Sequence, residues 1–436
     1  MDLELKNVKG TKDFFPNEQI IRNGIIKKLQ EVFELYGYQP LETPTLYYLE
    51  VLASKYAGGA EILKETYSLK DQGERELGLR YDLTIPFSKV IGMNPNLRMP
   101  FKRYEIGKVF RDGPVKLGRM REFIQCDVDV VGVKSMMAEA ELMFMATEVF
   151  DKLGLDIYLS YNNRKLLSGT LMKLKINKEL ASDVILSLDK VEKIGIEGVK
   201  KELLEKNLQP EVVENIIELL NNKEAASIDY YKGIASNSLM QEGIQELEEL
   251  NDYLDAMGIG SKVKYNPFLA RGLEIYTGTV YEIFLKDGSI TSSMGAGGRY
   301  DDIIGKFIQN EVGYPAVGIS FGLDVIYTAL SMKRDNELES NLDVYIIPLG
   351  TEAEALKMAC ELRGQGIKVD IDMTERKLKK RLDYANKEKI PYVLILGEDE
   401  VKSQRIKMKD MKSGTEEEMK ISEIGNNVLR RIQSLT

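Results

Sequence analysis

The segment from residue 101 to 132 constrains this chain most. FKRYEIGKVFR (101–111) and REFIQCDVDVVG (121–132) alternate in strand fashion on either side of a turn built on Asp112-Gly113-Pro114. Such a pattern predicts a long antiparallel hairpin. Arg111, Arg119 and Arg121 gather at or near its tip, although the chain as a whole is acidic, with 60 Lys+Arg against 69 Asp+Glu. A guanidinium binds phosphate oxygens bidentately and keeps its charge at any working pH. Three of them on one hairpin suit a bent triphosphate, with Phe123 placed to stack on a nucleobase. The competing reading is a solvated turn whose arginines pair with nearby carboxylates, and on spacing alone it is the stronger one.

The rest of the chain falls into blocks by period. Residues 17–37 place apolar side chains at 20, 21, 25, 26, 29, 32, 33 and 35, which predicts a helix with Asn17 as N-cap and Gly37 as stop. LGLRYDLTIPF (77–87) is apolar and β-branched and reads as a strand, with Asp82 and Thr84 on one side of it. Residues 135–154 form a methionine-rich helix ending at Gly154, the methionines filling core. Residues 163 to 260 are rich in Leu, Lys, Glu and Asn and read as an inserted helical module. Strands return in RGLEIYTGTVYEIFLKDG, SITSSMGAGGRYDD and AVGISFGLDVIYTAL, so strands on both sides of the insert are expected in one antiparallel sheet. MKRDNELESN (332–341) suits a linker. Beyond it strands and helices alternate, which predicts a small α/β domain with parallel pairing. The expected domains are 1–162 and 261–331 for the two parts of the catalytic domain, 163–260 for the insertion and 342–436 for the α/β domain.

Composition removes several chemistries. The chain of 436 residues contains no histidine, which excludes Ser-His-Asp and Cys-His sites and leaves metal binding to carboxylates. Arginine- and metal-driven phosphoryl or nucleotidyl transfer survives that restriction. Cys126 and Cys360 are the two cysteines and lie far apart, so neither a disulfide framework nor a zinc spacing is present and a reducing cytoplasm fits. No apolar run is long enough for a membrane span, and the charged N-terminal stretch does not read as a signal peptide. A net charge of −9 argues against bulk coating of nucleic acid while leaving room for a local basic path.

Other candidate residues are weaker alone. MGAGGRYDD (294–302) offers small residues where a ligand approaches the backbone, or a tight turn or bulge. Arg271 precedes a strand-like alternation and offers a second cation to a reacting phosphate, though an arginine there is usually only exposed. Asp82 and Thr84 together suit a ligand ammonium, or a half-exposed strand face. RKLKKRLDYANKEK (376–389) is a basic helix, read as a solvated face unless context supports RNA.

Together these segments resemble the histidyl-tRNA synthetases, a family of class II aminoacyl-tRNA synthetases, from KGTKDFFP (9–16) to PYVLILGEDE (391–400). YGYQPLETP (36–44) resembles motif 1, which in the family carries a proline such as Pro44 and forms the dimer interface. The hairpin resembles motif 2 of the eukaryotic-type branch, and LARGLEIYTGTVYE and SSMGAGGRYDD resemble the two histidine-specific signatures. The resemblance implies an α+β catalytic domain on an antiparallel sheet with a helical insertion, plus a C-terminal α/β anticodon-binding domain. It also implies ATP, Mg2+, L-histidine and tRNA(His) as reactants, and a homodimer. By it, Arg111 contacts the ATP α-phosphate, Arg119 and Arg121 the distal phosphates, and Phe123 the adenine. Arg271 is the catalytic arginine. Asp82, Thr84 and Gln125 hold the α-amino end of histidine, and Asp129 and Tyr276 read the imidazole; the metal ligands stay open. Two positions depart from the family: Val325 stands where motif 3 places an arginine over adenine, and Ile275 replaces the first of a tyrosine pair. The alternatives are a histidine-sensing, non-catalytic paralogue of the type that regulates ATP phosphoribosyltransferase, or a tRNA-binding regulator.

Overall fold

The computed structural model describes residues 4–53, 64–115, 120–188, 190–206, 208–270, 275–308, 313–333 and 340–433. The chain divides into two compact units, Met1–Asp13 with Arg22–Lys333, and Phe14–Ile21 with Arg334–Thr436. Among the described residues no helix is long and apolar enough to cross a membrane.

The first unit is organised on an eight-stranded sheet. Its strands are β1 (Gln39–Pro40), β5 (Phe101–Phe110), β6 (Glu122–Val131), β7 (Ile157–Asn163), β8 (Val263–Tyr265), β9 (Thr279–Leu285), β10 (Gly295–Arg299) and β11 (Ala316–Gly322). Their spatial order is β1-β5-β6-β11-β10-β9-β7-β8. Only the outermost pairs, β1 with β5 and β7 with β8, are parallel. The expected hairpin is β5 against β6, in register from Phe101 opposite Val131 to Phe110 opposite Glu122. A smaller sheet holds β2 (Leu46–Tyr48), β3 (Ser68–Lys70) and β4 (Glu76–Leu79) in the order β2-β4-β3. The insert is helical from Arg164 to Ala256, and the strands on either side of it do share one sheet.

The helix Met137–Leu153 packs on this sheet. Met143 and Met145 are fully buried there, and Gly154 caps the helix in the left-handed conformation that glycine adopts without strain.

Three local expectations are corrected. The first helix is Pro16–Leu35, so Pro16 and not Asn17 marks its start; the fixed φ of proline and its missing N–H both suit the first helical turn. LGLRYDLTIPF is not one strand: β4 ends at Leu79 and a helix runs Thr84–Met93. Asp82 therefore does not share a strand face with Thr84. It sits at the helix start, where its Oδ1 accepts the Ile85 N–H at 2.9 Å. The glycine run at 295–298 is neither turn nor bulge but a central strand between β9 and β11. The predicted linker falls mostly on residues 334–339, outside the described residues.

The second unit is a mixed sheet, β13-β12-β14-β15-β16, formed by β12 (Val344–Leu349), β13 (Val369–Ile371), β14 (Tyr392–Gly397), β15 (Arg405–Asp410) and β16 (Glu416–Lys420). The expected parallel pairing holds for β12 with β13 and β14. Helices Glu352–Gly364 and Ile424–Gln433 bury Met358, Leu362 and Val428 on one face of the sheet. Helix Leu378–Lys387 covers Tyr345, Ile347 and Val393 on the other.

Candidate active site

The site lies on one face of β5, β6 and β11. Alternate residues of a strand share a face, so Phe123, Gln125, Asp127 and Asp129 of β6 point the same way. Opposite the last three lie Gly107, Glu105 and Arg103 on β5, and Gly322, Ser320 and Gly318 on β11. The glycines keep the floor clear. A Cβ at Gly318 would overlap the Asp129 carboxylate, and one at Gly107 would overlap the Arg80 guanidinium.

Four carboxylates crowd this floor: Asp82, Glu105, Asp127 and Asp129, all buried. Burying charge is costly unless it is paired, and arginines do the pairing. Arg103 is fully buried, stacks on Phe87 at 4.4 Å, donates from Nη2 to the Leu83 carbonyl at 3.1 Å, and pairs with Asp129 Oδ2 at 2.7 Å. Tyr300 donates its hydroxyl to the other Asp129 oxygen at 2.6 Å. Arg80 donates to Glu105 at 2.8 Å, and Thr43 donates to the same carboxylate through N–H and Oγ1. Burial pushes the Asp127 carboxyl up to about 8 against the pull of Arg103, and it raises Asp82 and Asp129 as well. The floor is thus rich in acceptors and suited to a cationic ligand, such as an amino acid with a second nitrogen base.

The other end of the site is more open. The Arg111 guanidinium lies between the rings of Tyr81 and Phe123, 4.3 and 4.9 Å from their centroids, and its Nε donates to the Tyr81 carbonyl at 3.2 Å. Arg121 pairs with Asp112 at 3.1 Å and donates to the Gly113 carbonyl at 3.2 Å, the local pairing that the bland reading of the hairpin describes. Its side chain lies across Gly10, whose φ of +86° and lack of Cβ make room for it, while the Gly10 carbonyl accepts the Arg121 N–H at 2.8 Å. Arg119 and Arg271 lie outside the described residues.

Tyr276 lays its ring over Gly298, where a Cβ would come within 2.8 Å of it. Gly298 pairs with Gly318, which pairs with Asp129, so tyrosine and aspartate are separated by two glycine backbones. Thr84 opens the helix that follows Asp82. Ile275 is buried in an apolar cluster with Ile85 and Tyr300. Val325 sits in the first turn of the helix Leu323–Lys333. Its neighbour Asp324 is bonded to the buried Arg22 and accepts the Ile124 N–H at 3.2 Å, which ties this helix to β6. Among the described residues no cluster of three or more Cys, Asp and Glu side chains is placed to hold a metal ion.

Family models cover most of the chain. The profile described as histidyl-tRNA synthetase matches residues 10–326, and one described as anticodon binding domain matches residues 343–431. The chain belongs to the histidyl-tRNA synthetase family. Histidine–tRNA ligase 1 of Bacillus anthracis is 57% identical over 97% of this chain and 100% of its own length. The crystal structure of a Nostoc histidyl-tRNA synthetase superimposes with a TM-score of 0.85 at 30% identity, covering 99% of this chain and 100% of that one. A Bacillus halodurans protein described as an ATP phosphoribosyltransferase regulatory subunit/histidyl-tRNA synthetase shares the fold with a TM-score of 0.76 at 20% identity, covering 91% and 99%.

Sequence reasoning missed Arg103, Asp127, Tyr300 and Ser320. A signal was available for the first two. The hairpin register sets Arg103 opposite Asp129 and Glu105 opposite Asp127, and charges facing one another across a buried pair of strands require partners.

Proposed function

We propose that this chain joins L-histidine to tRNA(His) through a histidyl-adenylate. The observation that carries this reading is the buried Asp129 carboxylate. Arg103 and Tyr300 fix it on a floor that offers further acceptors, Gln125, Asp127 and Asp82, to a ligand with two basic ends. A carboxylate retains lone pairs after two hydrogen bonds, so Asp129 can still accept an imidazole N–H, with Tyr276 beside it. A substrate lacking those donors leaves buried acceptors unpaired and is rejected.

In the first step the histidine carboxylate attacks the ATP α-phosphorus in line. A mixed anhydride forms and pyrophosphate leaves. Arg111 and Arg271 stabilise charge at the α-phosphate, Arg119 and Arg121 hold the distal phosphates, and Phe123 stacks on adenine. Arg121 would exchange its pairing with Asp112 for phosphate. Mg2+ would be held chiefly by the ATP phosphates with one or two protein carboxylates, and would supply charge neutralisation there. In the second step the terminal ribose hydroxyl of tRNA attacks the activated carbonyl and AMP leaves. Neither step needs a protein imidazole.

For tRNA, the α/β unit offers Arg376, Lys377, Lys379 and Lys380, all exposed on and just before one helix. For a homodimer, the outer face of the small sheet offers Leu46 and Tyr48, 46% and 49% exposed, cross-strand from Leu79 and Leu77. Apolar strand surface of this kind marks an interface. Sedimentation would show a dimer that Tyr48→Lys splits. A reducing cytoplasm fits the free thiols of Cys126 and Cys360.

Histidine-dependent ATP–pyrophosphate exchange tests the reading. Exchange with histidine and with no other amino acid supports it. Tight histidine binding without exchange supports the sensor alternative instead.

A further inference from the structure

Asp127 figures above only as one more acceptor of the floor, yet it lies between Gln125 and Asp129 on the same strand face and is only 3% exposed. Its neighbour across the ladder is Ser320 of β11, on the same face of the sheet, and the Ser320 hydroxyl lowers the Asp127 carboxyl against the rise caused by burial. Ser320 Oγ is in turn 2.7 Å from Gln125 Nε2. Two acceptors along this path, Asp127 Oδ1 and Gln125 Oε1, are buried and have no hydrogen-bond partner among the described residues.

The chemistry of these groups fixes the direction of the path. A carboxylate oxygen accepts and an amide NH2 donates, while a hydroxyl has one proton to give. When a bound ammonium draws Asp127 into its carboxylate form, the Ser320 proton turns to that carboxylate and the Ser320 oxygen accepts from Gln125. With Nε2 committed to Ser320, the amide is locked with Oε1 as its free end. An unlocked amide would present NH2 to an ammonium as readily as it presents oxygen, and two donors facing one another repel.

We propose that Asp127 is a positioning residue for amino-acid binding. Through Ser320 it holds the Gln125 amide with its carbonyl oxygen available to the α-ammonium of the ligand. The inference rests on the histidine-ligase reading, because it takes the ligand at Gln125 to carry that ammonium. Gly322 faces Gln125 on β11 and Gly107 faces it on β5, so neither neighbour offers a side chain that could orient the amide instead.

The test is calorimetric binding of two probes to the full chain: L-histidine, and imidazolepropionate, which is histidine without its α-amino group. Ser320→Ala should weaken histidine binding about tenfold and Asp127→Asn about 10- to 100-fold, the range of a hydrogen bond to a charged group. Imidazolepropionate should bind each variant within about twofold of its affinity for the parent. The double variant should be no weaker than Asp127→Asn alone, as members of one network are not additive. Ser320→Thr, which keeps the hydroxyl, should retain parental binding. Equal losses for both probes would make Asp127 a support of the fold and overturn the proposal, as would unchanged histidine binding in Ser320→Ala. Pyrophosphate exchange by the parent protein is read separately, so a failure of the ligase reading shows there and a failure of the relay shows in the two affinities.

Discussion

The two ends of the site are built in opposite ways. At the end proposed for the amino acid the carboxylates are buried, and two of them are held by other side chains before a ligand arrives: Asp129 by Arg103 and Tyr300, Glu105 by Arg80 and Thr43. At the end proposed for the phosphates, Arg111 and Arg121 lean on aromatic rings, backbone carbonyls and one exposed aspartate. The contrast separates selection from reaction. Discrimination among amino acids needs acceptors that cannot move or be satisfied by water. A triphosphate needs cations that can follow its charge as bonds change.

This contrast can be broken by mutation. Arg103→Ala should have the largest effect, about 3–5 kcal/mol of lost stability in urea unfolding, because it leaves buried carboxylates without their cation. A loss below about 1 kcal/mol would mean that the floor is wet and not preorganised. Arg111→Ala should leave the urea midpoint near the parent value while lowering the exchange rate by about 10²–10³, the size of one lost charge-stabilising donor.

The amino-acid end should also show in stability against pH. Burial raises the Asp127 carboxyl in the ligand-free folded state from the ordinary carboxylate range to about 8. The folded protein thus holds a proton that the unfolded chain has released, and the stability linked to that proton is lost as pH rises toward about 8. Each unit of pH in that window lowers stability by at most about 1.4 kcal/mol per proton. Asp127→Asn should flatten the decline, with Arg103, Asp129, Asp82 and Glu105 as the remaining charges around it. An unchanged slope would remove Asp127 as its source. Tyr300→Phe should cost about 1 kcal/mol and raise the KM for histidine while leaving that for ATP unchanged. The smallest effect is expected for Arg121→Ala, a loss of about 0.5–1 kcal/mol of parent stability because its pairing with Asp112 is half-exposed. Its KM for ATP should nevertheless rise.

Legibility in the sequence followed the same division. The hairpin, the helical insert and the parallel start of the second unit were readable because period and turn residues are local properties. The strand misassigned at LGLRYDLTIPF shows where period misleads. A two-residue spacing placed Asp82 and Thr84 on one strand face, whereas an aspartate three residues before Ile85, with Pro86 in the first turn, is itself a helix-start signal. Tyr300 and Ser320 carried no local signal; their partners lie 171 and 195 residues away in sequence. The β15–β16 pair of the second unit was not anticipated, since lysines and glutamates dominate both strands and carry little strand signal before they face one another across the ladder.

One experimental opening follows from the pairing of Asp129 with Tyr300 in a chain that contains no imidazole of its own. Histidine labelled with nitrogen-15 in its ring would give magnetic-resonance signals against a blank background. The tautomer chosen by the bound ring, and the moment at which it gains or loses a proton, would then be visible directly, without the assignment problem that obscures such measurements in other proteins.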